Sequence, residues 1–414
     1  AYDISLGLVG SEMCIRDRNR RLLYTTLLTL LGSLILPLAA EPRASLITCG
    51  QSAEYVFYLY GHTAIRIQDP ETGLDKAYNY GYFSTSQKNF IPNFMIGKPM
   101  YMLGVTDFDS MVYEYADQGR SMVEQELRLR PQEVRALMEY LDWNALPENA
   151  EYQYNYFYDN CATRPRDLIE RFVEGGLVYM VDRKSLPTFR EATRQSSKSA
   201  KWYTFGTDLC LGVKSDEQMT VRDAGFLPVL LEQSMDLAYR EDTGEPIVVR
   251  KHEIIPQTQV IEVPRFDGPL VTILAVVAVY LLCYFVVRRY TPMPWRILRC
   301  ALYVIFGLAG IVLWFLSLFS AHPHTLLNAN MVLLHPFWLI LVVTMWQEGR
   351  HKRLNSLLYL INLILSLVYL GLGYVQTLPI GMAYMAILVG LDQFVCRFVE
   401  PSPEGGKVFD YSTK

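Results

Sequence analysis

Cys161 lies in "FYDNCATRPRDLIERF", residues 157–172, directly ahead of a run with helical character. Asp159 or Asn160 can cap that helix, Pro165 is tolerated in its first turn, and Gly175-Gly176 marks its end. A thiol at such a place meets unpaired backbone N–H groups and the positive end of the helix dipole, and both favour the thiolate. A thiolate nucleophile needs a base, and often a third group that orients the base. His62 is the only histidine between Asn19 and Arg250, so any Cys–His pair in this region uses it. Asn79, in "YNYGYF", is the best placed orienter, with Tyr80 and Asp159 as rivals. The N–H of Cys161 and a neighbouring donor would meet an oxyanion. Taken alone, a cysteine near a helix and a histidine on a strand are equally packing and framework residues.

The elements that would carry these groups follow from periodicity. "SLITCGQSAEYVFYLYGHTAIRIQD" reads as β structure. Around "HTAIRI", Ala64, Ile65 and Ile67 can pack while His62 and Arg66 share a face. "KAYNYGYFS" reads as the next strand, and "RPQEVRALMEYLDWNAL" as a helix with Val134, Leu137, Met138 and Leu141 on one side. Residues 41–265 therefore form a mixed α+β domain.

From Gly268 the composition changes. Five apolar stretches, at roughly 268–287, 298–320, 328–346, 356–375 and 379–398, are each about long enough to cross a bilayer, giving a membrane domain over 266–400. The first connection carries Arg288, Arg289, Arg296 and Arg299, and the third carries Arg350, Lys352 and Arg353. The second and fourth, "SAHPHTLLNAN" and "VQTLP", carry no Lys or Arg. Basic turns stay in the cytoplasm, so the α+β domain lies outside it and residues 401–414 form a cytoplasmic tail. Residues 19–40, with Arg20-Arg21 before an apolar core ending at Leu38-Ala39-Ala40, read as a signal peptide or N-terminal anchor, which exports the same domain. Residues 1–18, with "LVGSEMCIRDR", match a translated transposase-type sequencing adapter and are set aside.

The net charge of -4 gives no footprint for nucleic acid. Cys49, Cys161 and Cys210 fall in the exported part; an odd count suggests a Cys49–Cys210 disulfide and one free thiol, or else three free thiols. His322, His324, Asn328, Asn330 and His335 crowd the first external turn of the membrane part. They are expected to grip lipid headgroups or shape the site, or simply to cap helix ends. Their spacing matches no zinc pattern.

"GHTAIRI" followed about a hundred residues later by "DNCATRPRDLI" resembles the circularly permuted papain-like fold, in which the His strand precedes the Cys helix, as in lecithin retinol acyltransferase and related thiol acyltransferases. The stretches "LITCGQSAEYVFYLYGHTAIRI", "YNYGYF", "GRSMVEQEL" and "YFYDNCATRPRDLI" more closely resemble the exported domain of Lnb-type membrane proteins of Bacteroidota, and the five-span tail is similar to that family's layout. The resemblance implies lipoprotein N-acylation: a fatty acyl chain moves from a membrane phospholipid to the α-amine of a diacylglyceryl-cysteine lipoprotein. It implies Cys161 as nucleophile and His62 as base, in the inner membrane, with no metal or cofactor; Asn79 is read as the orienter. Arg66, Tyr80, Arg120, Asn160, Arg164 and Arg166 fall in the matching motifs as candidates for substrate binding, and the arginines are equally candidates for structural ion pairs. The rival readings are a peptidoglycan endopeptidase or amidase, a phospholipid acyl hydrolase, and a non-enzymatic scaffold.

Overall fold

The structure is a computed structural model that describes residues 41–84 and 88–399. The adapter-like segment, the leader at 19–40 and the tail at 401–414 lie outside the described residues.

The strands are β1 (Arg43–Cys49), β2 (His62–Asp69), β3 (Leu74–Tyr82), β4 (Met100–Asp107), β5 (Met122–Leu127), β6 (Glu151–Gln153), the small β7 (Leu177–Tyr179) and β8 (Ala238–Arg240), and β9 (Val248–Ile255). Seven of them form one sheet in the order β6-β4-β3-β2-β1-β5-β9, and every neighbouring pair is antiparallel. Antiparallel pairing lets each strand keep two distinct faces. On β2, Thr63, Ile65 and Ile67 point one way, and His62, Ala64 and Arg66 the other.

Four helices matter for the site: α1 (Phe90–Met95), α2 (Phe108–Asp117), α3 (Pro131–Asn144) and α4 (Thr163–Phe172). Phe108, Met111 and Tyr115 of α2 cover the His62 face, packing on Ile47, Cys49, Ala64 and Ala77. Val134, Leu137 and Leu141 of α3 cover the Ile65 face, against Ile67, Tyr78, Tyr80 and Leu103. Ile169 of α4 packs there with Leu46 of β1. Each such fully buried aliphatic side chain contributes about 1.5–3 kcal/mol, so the strands that carry the chemistry are clamped on both sides.

Among the described residues, five helices are long and apolar enough to cross a membrane: Gly268–Tyr290, Pro292–Phe319, Asn330–Gln347, Arg350–Leu372 and Met382–Val399. The chain is thus an α+β domain followed by a helical membrane part. The second helix begins at Pro292, ahead of the apolar stretch expected from 298, because prolines are compatible with a first helical turn. Inside the membrane part, Arg299 Nε lies 3.0 Å from Asp392 Oδ1, and the hydroxyls of Tyr280 and Tyr303 donate to the same carboxylate. A charge in a bilayer is costly unless paired; this knot ties the first, second and fifth spans.

The domain is stitched to the turn between the second and third spans. Gly212 N–H donates to the carbonyl of His324 (2.6 Å), Asn328 Nδ2 to the carbonyl of Leu209 (2.7 Å), and Ala321 N–H to the carbonyl of Ile96 (2.8 Å). Cys49, Cys161 and Cys210 are all free thiols. The Cys49–Cys210 pairing is therefore corrected: Cys49 packs in the sheet core and Cys210 against the membrane helices.

Candidate active site

The loop before α4 is locked by Asn160. Its Oδ1 accepts from the N–H groups of Ala162 (2.8 Å) and Thr163 (2.9 Å), and its Nδ2 donates to the carbonyls of Tyr156 and Phe226. That is a helix cap made by an asparagine with all its bonds internal. It gives Asn160 a framework role in the loop that carries Cys161. Cys161 stands directly after this cap and is half-buried.

Two features of the sheet admit the sulfur. The β2–β3 ladder runs only as far as Ala64 opposite Asn79, and β3 bulges between Tyr80 and Tyr82 in its pairing with β4. Continuing the β2–β3 register by two residues sets His62 across from Gly81. Gly81 has φ +100°, and a Cβ there would sit 3.2 Å from the Cβ of Cys161. A glycine in a bulge allows one chain segment to approach another closely. Beyond the ladder's end, the backbone N–H of Thr63 reaches the Cys161 sulfur, as does the N–H of Cys161 itself.

His62 Nε2 and Asn79 Oδ1 are 3.0 Å apart. Asn79 Nδ2 donates to the carbonyl of Ala77 (3.2 Å) and to Thr106 Oγ1 (3.1 Å). Those two bonds fix which way the amide points, so its oxygen must accept from His62. Nε2 therefore carries the ring proton and Nδ1 keeps the lone pair of a base. Neither rival orienter is available. The Tyr80 hydroxyl donates to Asn144 Oδ1 at 2.5 Å, and Asp159 holds Arg164 through two bonds of 2.5 and 2.9 Å.

The charge state differs from the thiolate expected at a helix start. Burial pushes the Cys161 thiol up to about 11, and the two backbone N–H groups only partly oppose it. Burial also takes His62 down to about 4, despite its bond to Asn79, and the Arg120 charge adds to the fall. At neutral pH both groups are uncharged. Desolvation outweighs the field of a ten-residue helix because the sulfur is enclosed by the sheet end and the loop. Alkylation of Cys161 by iodoacetamide should therefore keep accelerating as pH rises through 8 and 9, since the thiolate fraction grows all the way towards its pKa. A rate already flat from pH 6 upward would mean a preformed ion pair.

The arginines singled out from the sequence are committed inside the protein. Arg66 binds Asp75 (2.6 Å) and Glu124 (3.1 Å) and stacks on Phe108. Arg120 is buried, donates to the carbonyl of Gly50 and to Gln118, and lies between the rings of Tyr58 and Tyr115. Arg164 lies over Tyr152 while paired with Asp159, and Arg166 binds Asp167 and the carbonyl of Arg222. Arg66, Tyr80, Arg120 and Arg164 thus all make framework bonds, and Arg120 keeps one buried nitrogen, Nη2, without a hydrogen-bond partner. Thr63 and Gly81 were not singled out from sequence; the signal for Gly81 was a glycine inside an aromatic strand.

The membrane turn reaches this loop. His324 Nε2 is 2.6 Å from the Tyr158 hydroxyl, and its ring packs against Phe157 and Phe189. Asn330 meets Leu209 and Tyr369, and His335 stacks on Trp338. His324 and Asn330 thus join the domain to the membrane part, whereas the His335 contact lies inside the membrane part.

Such an arrangement defines a multi-pass membrane protein whose α+β domain sets a cysteine against Gly81 and the Thr63 N–H, at the end of the strand pair that carries the His62–Asn79 bond. Residues 53–195 match the family model for the Lnb N-terminal periplasmic domain, and residues 262–400 match that for the Lnb transmembrane domain. The chain belongs to the Lnb family, with its α+β domain in the periplasm. Membership points to a function related to lipoprotein N-acylation. Neither the curated proteins nor the solved structures compared with the chain give a match.

Proposed function

We propose that the protein is a lipoprotein N-acyltransferase of the inner membrane that works through a thioester on Cys161. The observation that carries this reading is the His62–Asn79 bond, which leaves a basic nitrogen on a strand whose neighbour, Gly81, is open to the cysteine. Cys161 Sγ attacks an ester carbonyl of a membrane phospholipid while its proton passes to His62 Nδ1. The alkoxide of the departing lysophospholipid takes that proton, and the acyl group stays on sulfur. The α-amine of a diacylated lipoprotein then attacks the thioester, again losing a proton by way of His62, and the thiol returns. Because the resting pair is neutral, the proton moves during attack. The N–H of Cys161 can receive the oxyanion. The backbone N–H of Thr63, which already reaches the sulfur, is a second donor at hand.

The site residues supply both half-reactions without a nucleotide or metal. Five spans suit substrates that are both lipids better than they suit a muropeptide, and an amine acceptor separates transfer from hydrolysis. Expression in a host lacking its own N-acyltransferase tests this. Lipoprotein N-termini should shift from diacylated to triacylated with the wild type, and Cys161→Ala should stay diacylated at equal membrane abundance. Triacylation by that variant would overturn the reading.

A further inference from the structure

An apolar ledge projects from the domain where it meets the membrane. Ile91, Phe94 and Met95 of α1 are 69%, 50% and 51% exposed, and Tyr55 and Phe57 are about as open at 51% and 52%. Leaving five large apolar side chains in water is unfavourable, and patches of this kind mark contact with a partner or a membrane.

Its position decides between them. Beyond the Ala321–Ile96 bond, His322 Nε2 is 2.7 Å from the carbonyl of Phe94, and Gly97 lies so close to Ala321 and His322 that a Cβ would fall 2.5 Å from a backbone atom. Ala321 and His322 lie only two and three residues past Phe319, where the second span ends. The ledge therefore sits level with the rim of the bilayer, on the periplasmic side. Lys88 and Lys98, both exposed, flank α1 where lipid phosphates would lie.

An aromatic track leads inward from the ledge. Phe94 meets Phe90 (ring centroids 6.3 Å apart), Phe90 meets Phe83 (5.6 Å), and Phe57 meets Phe83 from the other side (5.8 Å). Phe83 continues to Tyr101 at 4.9 Å and follows Gly81, the residue against Cys161, by two positions. Tyr101 then stacks on Tyr154 at 4.2 Å.

We propose that this ledge dips into the periplasmic leaflet and receives one acyl chain of a membrane phospholipid, which the Phe90–Phe83 track guides to Cys161. The last leg rests on the acyl-transfer reading of Cys161; the docking of the chain does not. An apolar occupant is favoured because the ledge and the track are aromatic or aliphatic throughout, and each buried methylene of a fatty chain adds about 0.8 kcal/mol of membrane-like affinity.

The full-length Cys161→Ala variant, reconstituted with phosphatidylethanolamine bearing a diazirine in its acyl chain, tests docking without any chemistry. After irradiation, mass spectrometry should find label at residues 90–95 and 55–57 well above that at Tyr113, which is 76% exposed on α2. Label on the ledge no higher than at Tyr113 overturns the proposal, whether or not the ledge cross-links instead to a lipoprotein or a second copy of the chain. The second arm compares acylation of Cys161 by phospholipid vesicles with acylation by a water-soluble butyrate thioester. In I91D/M95D the ratio of the two rates should fall at least about tenfold, as expected when a long chain loses its apolar support. An unchanged ratio overturns the proposal. Failure of the wild type to take acyl groups from either donor would instead sink the reading of Cys161, and the labelling would still decide the ledge.

Discussion

His62→Ala should lower phospholipid-dependent acylation of Cys161 by about 10²–10⁴-fold, the range over which a positioned general base acts. The size follows from the neutral resting state. With the thiol held up to about 11, very little thiolate exists at pH 7 unless a base removes the proton during attack. The loss has a pH signature that a structural defect would lack. As pH rises towards the thiol's own value, Cys161 ionises unaided, so the gap between variant and wild type should close. Asn79→Ala should also lower the rate, because His62 loses the bond that fixes its tautomer. A gap that stays constant from pH 6 to 10 would show that His62 serves the fold and not the proton.

Gly81→Ala should be nearly as damaging to activity and much milder for the fold. At φ +100° a side chain is strained by about 1–3 kcal/mol, which a domain with four packed clusters can absorb. The new methyl would also press on the Cys161 Cβ from 3.2 Å, tighter than ordinary van der Waals contact. Relief requires the cysteine loop to move by a fraction of an ångström to an ångström, and displacement of a nucleophile by about 1 Å can cost 10²-fold in rate. Membrane abundance should remain close to wild type while acylation falls by about that factor. Wild-type rates in Gly81→Ala would mean that the sulfur does not work from where it rests.

The parts legible in the sequence were those with a local signal. "HTAIRI" alternates, so its faces were readable, and the Ile65 side is indeed buried under α3. The "DNCATRP" run declared a helix start because Asn160 is a strong cap, and the five spans follow from their hydropathy. What was not legible depended on partners far along the chain. Nothing near Arg66 or Arg164 shows whether a guanidinium is free; only the fold reveals Glu124 beside one and Tyr152 under the other. The helix-dipole argument for a thiolate was local and sound in sign. It lost to burial, which exists only once β2, β3 and the cysteine loop meet. Gly81 could be noticed as a glycine between tyrosines, but its purpose needs the bulge and the cysteine opposite. The contact of His324 with Tyr158 spans 166 residues and joins two domains, and no periodic pattern encodes it.

Intact-protein mass spectrometry of the reconstituted enzyme, given phospholipid and no acceptor, addresses the central role of Cys161 most directly. One fatty acyl mass should appear on the chain, map to Cys161, disappear with neutral hydroxylamine, and leave as the acceptor's new amide when a diacylated lipopeptide is added. An enzyme that triacylates the lipopeptide without ever carrying that mass, or that carries it on another residue, would contradict the account.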